Sequence, residues 1–178
     1  KELGLAEETI IIILADHGEE FLEHGGFYHK SSLFEEQVRI PLIIYVPEDQ
    51  RVTLPDQPAG VSMLDLAPTI LDLAGVKQKL PQAEGQSLRQ VHDPANSDKY
   101  MMFQQSQESW SSVVAEPYQL ILKLDLKTGI RDTMLFNLDL DPSEKNNIVA
   151  ENKELSEQMR LRLQDQLDQS SPHPKAPK

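Results

Sequence analysis

A short stretch of the chain brings together an acid, histidines and a lysine, which are residue types that bind metal ions and anions. Asp16 and His17 are adjacent and precede Gly18, where the chain can bend so that both side chains face one site. Carboxylate oxygen suits a hard or borderline divalent cation, and histidine nitrogen favours manganese, zinc or iron over calcium. We predict that Asp16 and His17 are metal ligands. The competing interpretation is a solvated aspartate beside a histidine that donates to a backbone carbonyl.

Three residues downstream could act on an anion held by such a metal. The ammonium group of Lys30 would neutralise charge that develops on a tetrahedral anion. His24 and His29 could support the site or supply protons, because imidazole titrates near neutral pH. Each of the three is also a common residue of surface loops, so these assignments depend on what surrounds them.

The other charged residues of this stretch have simpler interpretations. Glu19, Glu20 and Glu23 indicate a solvated face. Arg39 lies close in sequence to Glu35 and Glu36, and we expect an Arg–Glu contact that braces the loop rather than a contact with substrate.

Two apolar runs must position these side chains. The run over residues 9–15 ends at Asp16 and is typical of a strand buried on both faces of a sheet. Open α/β sheets place their chemistry beyond the carboxyl ends of such strands. A short helix over 33–38, capped by Ser31 or Ser32, precedes a second strand over 39–46. This order predicts an α/β crossover rather than a hairpin.

The remaining pattern predicts a helix, a small sheet and a final helix. A capping-box-like start at Ser62 opens a helix that ends at Gly75, with its core side at Leu64, Ala67, Leu71 and Ala74. Four short runs, at 100–105, 111–116, 118–124 and 133–138, predict an antiparallel sheet. A helix over 152–168 carries one apolar stripe, made of Leu155, Met159, Leu163 and Leu167. We expect a core portion over 1–99, a small α+β subdomain over 100–168 and a disordered tail over 169–178.

Composition narrows the partners. The chain has 178 residues and a formal net charge of −12, which argues against nucleic acid or an anionic membrane surface as a partner. With no cysteine there is no disulfide, thiolate metal site or cysteine nucleophile. No apolar run is long enough for a membrane span, so we expect a soluble protein of unknown compartment.

The order of the motifs resembles the sulfatases, which belong to the alkaline-phosphatase-like superfamily of metal-dependent sulfo- and phosphohydrolases. The resemblance covers roughly residues 1–168. The matching segments are Asp16-His17-Gly18-Glu19, Glu23-His24-Gly25, Lys30-Ser-Ser-Leu-Phe-Glu35-Glu36-Gln-Val-Arg39-Ile-Pro41-Leu-Ile-Ile, the helix from Ser62 to Gly75, Gly85-Gln-Ser87-Leu88, and Leu135-Phe136-Asn137-Leu138-Asp-Leu-Asp141-Pro142-Ser-Glu144-Lys-Asn-Asn147-Ile.

The resemblance implies a fold and a site. The fold would be the C-terminal part of an alkaline-phosphatase-like α/β/α sandwich, followed by a small antiparallel sheet packed with a C-terminal helix. Asp16 and His17 would bind a divalent metal, and Lys30 would contact the sulfate or phosphate group. Nothing in the resemblance assigns chemistry to His24 or His29. Calcium is the metal that the family implies, but many sulfatases have Asn at the position of His17, which leaves manganese, magnesium or zinc open.

Two motifs of the family do not occur in this sequence. One is the Cys/Ser-x-Pro-x-Arg motif, whose Cys or Ser becomes the formylglycine nucleophile, and the other is an early Asp-Asp pair of metal ligands. We therefore expect the C-terminal part of a sulfatase, inactive alone, with a sulfated small molecule or glycan and a missing N-terminal part as its partners. The alternatives are a phosphodiesterase, phosphonate monoester hydrolase or phosphoethanolamine-type transferase of the same superfamily, or a non-catalytic binding or structural domain with a degenerate site.

Overall fold

A computed structural model describes residues 4–47, 54–57, 60–77, 84–93, 98–104 and 107–170, except for the side chains of Phe103 and Ser170. The chain forms two compact units. The first takes residues 1–16 and 40–97, and the second takes residues 17–39 and 98–178. The predicted tail falls outside the described residues from position 171 onwards.

The elements follow one another in the order β1 (Ile11–Leu14), β2 (Glu20–Phe21), β3 (Phe27–Tyr28), α1 (Glu35–Val38), β4 (Leu42–Tyr45), α2 (Leu66–Leu73), β5 (Lys99–Gln104), β6 (Glu108–Ala115), β7 (Tyr118–Asp125), β8 (Arg131–Asn137) and α3 (Lys153–Ser170). Single turns of 3₁₀ helix lie at Ala6–Glu8 and Met63–Asp65.

In the first unit, β1 and β4 form a two-stranded sheet and run antiparallel. The expected α/β crossover is therefore wrong. Leu14 lies opposite Leu42 and Ile11 opposite Tyr45, so the chain returns to the sheet at the end where it left. Antiparallel pairing needs that return, and the long excursion between the two strands has room for it.

One face of this sheet is exposed, which also contradicts the prediction of a strand buried on both faces. Its side chains are those of Ile11, Ile13, Ile43 and Tyr45, with exposed fractions of 46–57%. Two strands have too few neighbours to bury both faces, because a buried sheet needs a covering layer on each side.

Helix α2 starts and packs through hydrogen bonds. Ser62 forms the predicted capping box, in which Leu64 N–H donates to its hydroxyl and its own N–H donates to Asp65 Oδ2 at 2.8 Å. Asp65 Oδ1 also accepts the N–H of Gln86 at 2.8 Å, and the Thr69 hydroxyl accepts that of Leu88 at 2.9 Å.

The side of α2 that is buried therefore differs from the prediction. Thr69 and Leu73 are buried, whereas Leu64, Ala67 and Ala74 are exposed and Leu71 is half-buried. The segment around Gly85–Leu88 packs on the polar side of the helix, and its backbone amides need the oxygens that Asp65 and Thr69 supply.

In the second unit, β5, β6, β7 and β8 form an antiparallel meander in sequence order. This confirms the predicted small sheet. One face packs on Leu33 and Phe34 through Trp110, Ile121 and Phe136.

The opposite face of this sheet packs on α3. Met159 and Leu163, at 1% and 0% exposure, contact Val113, Leu120 and Leu135. Leu155 and Leu167 pack at the edge of the same cluster, so the predicted stripe of α3 is confirmed. The sheet is thus covered by the segment before α1 on one side and by α3 on the other.

Within the described part of the chain, no helix has the length and apolar character to cross a membrane.

Candidate functional site

Residues 17–31 of the second unit form an irregular loop around the short β2–β3 hairpin, and they carry His17, His24, His29 and Lys30. Three non-glycine residues of this loop have left-handed backbone angles, with φ of 76° at Leu22, 78° at Tyr28 and 66° at Lys30. Such angles are uncommon for residues with a β-carbon and concentrate at functional sites. The backbone at Lys30 is therefore held in a conformation that its neighbours must stabilise.

Asp16 follows β1 at the end of the first stretch of the first unit, and His17 opens the second unit. Both side chains are exposed. His17 Nδ1 lies 2.7 Å from the carbonyl oxygen of Gly18. Because a carbonyl only accepts, Nδ1 must carry the hydrogen, which leaves the lone pair of the neutral ring on Nε2. This hydrogen bond fits the competing interpretation, in which His17 only donates to a backbone carbonyl. The same kind of hydrogen bond also orients histidines that bind metal ions.

His29 lies against His17 and is held by Glu19. The two imidazole rings stack with their centroids 4.0 Å apart, and His29 Nδ1 lies 3.1 Å from Glu19 Oε1. A carboxylate fixes the tautomer and the ring plane of the histidine to which it bonds. Glu19 therefore orients His29, and through the stack it restrains His17.

Glu20 is buried, with 1% exposure, so its assignment to a solvated face is wrong. Its Oε1 accepts the N–H groups of His24 and Gly26 at 3.0 and 2.7 Å. Its Oε2 accepts the Ser31 hydroxyl at 3.1 Å and the Gln37 side-chain amide at 2.7 Å. Burial alone would raise the pKa of Glu20, but these hydrogen bonds outweigh burial and lower the pKa. The side chain is therefore a buried carboxylate with both oxygens occupied.

Gln37, buried on α1, ties both ends of the loop together. Its backbone carbonyl accepts the N–H of Gly18 at 2.8 Å. Its side-chain oxygen accepts the N–H groups of Ser31 and Ser32 at 3.1 and 3.4 Å. A β-carbon at Gly18 would lie 2.1 Å from the carbonyl oxygen of Glu36, so only glycine allows this approach.

His24 is held on both edges of its ring. Nδ1 lies 2.7 Å from Glu36 Oε1, and Nε2 lies 3.1 Å from the carbonyl oxygen of Glu144. Both partners offer an oxygen to the ring, so the two nitrogens fix the imidazole at opposite edges. The ring also stacks on Phe34 with centroids 3.7 Å apart. His24 therefore has a structural role within the second unit.

Glu144 supplies the cap of α1 that the sequence prediction assigned to a serine. Helix α1 has Phe34 at its N-cap, without a side-chain cap of its own, and the N–H of Glu35 donates to Glu144 Oε2 at 2.6 Å. The prediction that Ser31 or Ser32 caps this helix is wrong, because α1 begins at Glu35 with Phe34 as its N-cap. The Ser32 hydroxyl accepts the N–H of Phe34 at 3.4 Å, which lies before the first helical residue.

Glu144 holds a proton near neutral pH chiefly because it is buried. Burial raises the pKa of Glu144 to about 8, the negative charges of Glu35, Glu36 and Asp141 act in the same direction, and the hydrogen bond from Glu35 N–H opposes them. The expected contact between Arg39 and Glu35 is confirmed, with 3.7 Å between Nη1 and Oε2. Burial likewise raises the pKa of Glu35, which the Arg39 guanidinium partly offsets.

The loop thus brings His17, His29 and Lys30 into one short segment of the second unit, and it places His24 in a separate cluster with Glu36 and Glu144. Among the described residues, no three His, Asp or Glu side chains are arranged so that they could hold a metal ion. The chemistry of Asp16 and His17 fits two ligands of a divalent cation, since one offers a carboxylate and the other an imidazole nitrogen.

Most of the chain matches one known protein family. Residues 22–172 match the family described as N-sulphoglucosamine sulphohydrolase, C-terminal. The chain belongs to this family of sulfatase C-terminal parts. The match begins inside the β2–β3 hairpin and runs through α3.

Relatives and solved structures agree with this membership. Arylsulfatase K from Bos taurus is 32% identical over 92% of the chain, and an endo-4-O-sulfatase from Bacteroides thetaiotaomicron is 28% identical over 89%. A structure in complex with its substrate D-glucosamine-2-N,6-O-disulfate is 25% identical and matches 98% of the chain with a TM-score of 0.73. A putative sulfatase from Bacteroides thetaiotaomicron, 22% identical over 94% of the chain with a TM-score of 0.76, shows the same fold.

The sulfatase chain spans about a third of the relatives that it matches. It covers 32% of the Bos taurus arylsulfatase K, 35% of the endo-4-O-sulfatase and 38% of the substrate-bound structure. The predicted C-terminal sulfatase fold of mixed helix and sheet is confirmed by these matches.

Proposed function

We propose that this chain is the C-terminal part of a sulfatase that hydrolyses sulfate esters with a formylglycine nucleophile carried by an N-terminal part. The observation that carries the proposal is the family match, which runs from the loop around Lys30 to the end of α3. The share of each relative that the chain covers supports it, as does the lack of cysteine in this sequence. The 178-residue chain alone would then be inactive.

In this proposal Asp16 and His17 are ligands of a divalent metal. A cation bound there would polarise the sulfate group as a Lewis acid. Calcium is the ion implied by the family, and manganese, magnesium and zinc are the alternatives. Among them the imidazole of His17 favours manganese or zinc, because calcium and magnesium prefer oxygen ligands. The hydrogen bond from Nδ1 of His17 to the Gly18 carbonyl supports this role, since it directs Nε2 to the ligand.

Lys30 would contact the sulfate oxygens. Its ammonium group would offset negative charge that builds on these oxygens as the ester bond breaks. The hydrogen bond between Glu19 and His29 supports this role of Lys30, because His29 precedes Lys30 and the bond fixes the segment that carries both. His29 would support the site from beside His17, and His24 would hold the loop at a distance from the reacting group.

The substrate would be a sulfated sugar or a related small sulfate ester. The substrate-bound relative holds a sulfated glucosamine, and another relative is named an endo-4-O-sulfatase. The similarity of the chain to these two proteins is the basis for proposing a sulfated sugar as substrate. A phosphonate monoester hydrolase of Agrobacterium radiobacter shares the fold at 18% identity with a TM-score of 0.65, and it defines the competing substrate class for the test.

The test compares ester classes on the full-length protein. Purified enzyme would be assayed with an aryl sulfate, with D-glucosamine-2-N,6-O-disulfate and with an aryl phosphonate monoester, before and after chelation. We expect hydrolysis of a sulfate ester that chelation suppresses. Faster hydrolysis of the phosphonate would replace the sulfatase assignment, and the absence of any hydrolysis would favour a binding domain.

Substitution of Lys30 tests its role directly. We expect Lys30→Ala to lower kcat at least about 100-fold, which is typical of the loss of a group that stabilises transition-state charge. Lys127→Ala is the matched control, because Lys127 is an exposed lysine on the β7–β8 turn. An unchanged kcat in Lys30→Ala would remove this residue from the site.

A further inference from the structure

Lys30 lies between two residues that are each held by a glutamate. His29 is bonded to Glu19 at 3.1 Å, and the Ser31 hydroxyl is bonded to Glu20, also at 3.1 Å. The two glutamates are consecutive where β2 begins, and the two residues that they hold flank Lys30. The left-handed backbone of Lys30 is therefore fixed from both sides.

The carboxylate of Glu20 suits this task because every partner it has is a donor. Its two oxygens accept two backbone N–H groups, one hydroxyl and one side-chain amide. Only an ionised carboxylate can accept from all of them. An amide in its place would direct an NH₂ group at one of the donor pairs and leave those donors unpaired inside the protein.

Gly26 shows how closely the carboxylate is enclosed. A β-carbon at Gly26 would lie 2.6 Å from Glu20 Oε2 and 3.0 Å from Cδ. The opposite side is closed by Gln37, whose side-chain amide donates to Oε2 and also reaches the hydroxyls of Ser31 and Ser32. Glu20 therefore joins the hairpin, the serines after Lys30 and helix α1 in one network.

We propose that Glu20 is a positioning residue, which holds the segment of Lys30 in the place where the ammonium group meets the sulfate. The inference goes beyond the proposed function, on which it rests only for the role of Lys30. Glu20 itself makes no contact with substrate in this proposal. Its effect on turnover passes through Lys30.

A double-mutant cycle on the full-length protein separates this role from a general structural one. We expect Glu20→Gln to lower kcat about 10- to 100-fold, since small displacements of a catalytic group cost that much. In the Lys30→Ala background the same substitution should lower kcat by no more than about twofold. An unchanged kcat in the single variant, or an equal loss in both backgrounds, would overturn the inference. Glu23→Gln is the control, because Glu23 is exposed on the same hairpin and an amide oxygen can still accept the N–H of Phe21, as the Glu23 carboxylate does.

A second measurement does not depend on activity. In Glu20→Gln, amide hydrogen exchange over residues 24–32 should become at least about 10-fold faster, while the middle of α3 keeps its protection. Unchanged exchange over 24–32 would overturn the inference, whatever the assay shows. Faster exchange in a protein that hydrolyses no sulfate ester would support the holding role of Glu20 and reject the proposed function. If Glu20→Gln does not fold, Ser31→Ala removes only the two bonds of the Ser31 hydroxyl, to Glu20 and from Gln37, and should give smaller changes of the same kind.

Discussion

Glu144 combines deep burial with a pKa of about 8, and this makes the stability of the second unit depend on pH. The folded protein holds a proton that the unfolded chain, with an ordinary value of 4.5, releases. The contribution of this group to stability is therefore complete below about pH 4.5 and is lost as the pH rises towards 8. Between these limits the free energy of unfolding falls by up to about 1.4 kcal/mol per pH unit.

Glu144→Gln should remove this dependence. The amide is neutral at every pH, and its oxygen can still accept the N–H of Glu35. We expect the variant to gain stability relative to the unsubstituted protein as the pH is raised from about 5 to about 8.5, measured by thermal unfolding at each pH. Glu154→Gln, an exposed acid of α3, is the control. A constant difference between Glu144→Gln and the unsubstituted protein across this range would contradict the assignment.

Glu20 acts in a separate pH window, so the two groups can be distinguished. Its pKa is lowered, so its contribution to stability is present above about 4.5 and is lost as the pH falls through the folded value. Acidification below the Glu144 window should thus loosen the loop of Lys30 in the unsubstituted protein, while Glu20→Gln should show a weaker response to acid.

His24 is expected to stabilise the fold through the contacts of its two ring nitrogens. His24→Phe keeps an aromatic ring to stack on Phe34 but removes the hydrogen bonds to Glu36 and to the Glu144 carbonyl. Because one of these bonds is charge-assisted, we expect the free energy of unfolding to fall by about 2–3 kcal/mol, measured by thermal or denaturant unfolding. Glu36→Gln keeps an acceptor for Nδ1 and should cost less. A fully stable His24→Phe would show that the stacking alone holds this residue.

At the scale of residues, the sequence could identify side chains by type but not by partner. His17 and Lys30 were recognisable because an acid, an imidazole and an ammonium within a short stretch suggest metal and anion chemistry. Glu20 was not, since its burial depends on Gln37, 17 positions away. Glu144 caps a helix from 109 positions away, and no local pattern encodes such a distance.

Shortening the apolar side chains of α3 that face the sheet should lower the stability of the fold. Met159 and Leu163 are fully buried against the sheet, so replacing either with Ala removes apolar contacts and leaves a cavity. We expect each change to lower the free energy of unfolding by about 2–5 kcal/mol, measured by denaturant unfolding. Leu161→Ala is the matched control in the same helix, because Leu161 is 54% exposed. Equal effects of all three changes would place the stripe on the wrong side of α3.

The Gly85–Leu88 segment should tolerate no side chain at its first residue. A β-carbon at Gly85 would lie 2.2 Å from the carbonyl oxygen of Leu64 and 2.3 Å from the carbonyl carbon, and backbone atoms cannot yield as a flexible side chain can. Gly85→Ala should therefore break the bond between Gln86 N–H and Asp65, with a drop in thermal midpoint. Gln86→Ala keeps the N–H donor and should be close to neutral. A stable Gly85→Ala would mean that the segment can move away from α2.

Elements defined by a strong period were predictable, and those defined by long-range geometry were not. The stripe of α3 repeats at helical spacing, and the β5–β8 strands show partial alternation with turn residues before the last strand, so both were found from the sequence. The direction of β4 relative to β1 depends on where the chain re-enters the sheet. The apolar runs are compatible with either direction, which is why the antiparallel pairing was missed.

At the scale of the whole molecule, the exposed face of the β1–β4 sheet is the feature that most needs a partner. Four large apolar side chains at 46–57% exposure form a contiguous surface in a chain whose net charge is −12. Single exposed apolar residues are ordinary, but contiguous patches usually mark an interface. The chain covers about a third of its relatives, and we propose that the N-terminal part of the sulfatase covers this face.

Substitution at the centre of this face tests that proposal. Ile13 lies opposite Ile43 in the sheet and is 57% exposed in this chain. If an N-terminal part packs over it, Ile13→Asp in the full-length protein buries an unpaired charge. The free energy of unfolding should then fall by roughly several kcal/mol, which is measured as a lower thermal midpoint. In the 178-residue chain the same change meets water, so it should leave the midpoint nearly unchanged and reduce self-association, measured by light scattering. Leu140→Asp, at a site that is 84% exposed in the second unit, should be tolerated in both proteins. If the full-length protein tolerates Ile13→Asp as well as Leu140→Asp, the face remains open to solvent and the N-terminal part packs elsewhere.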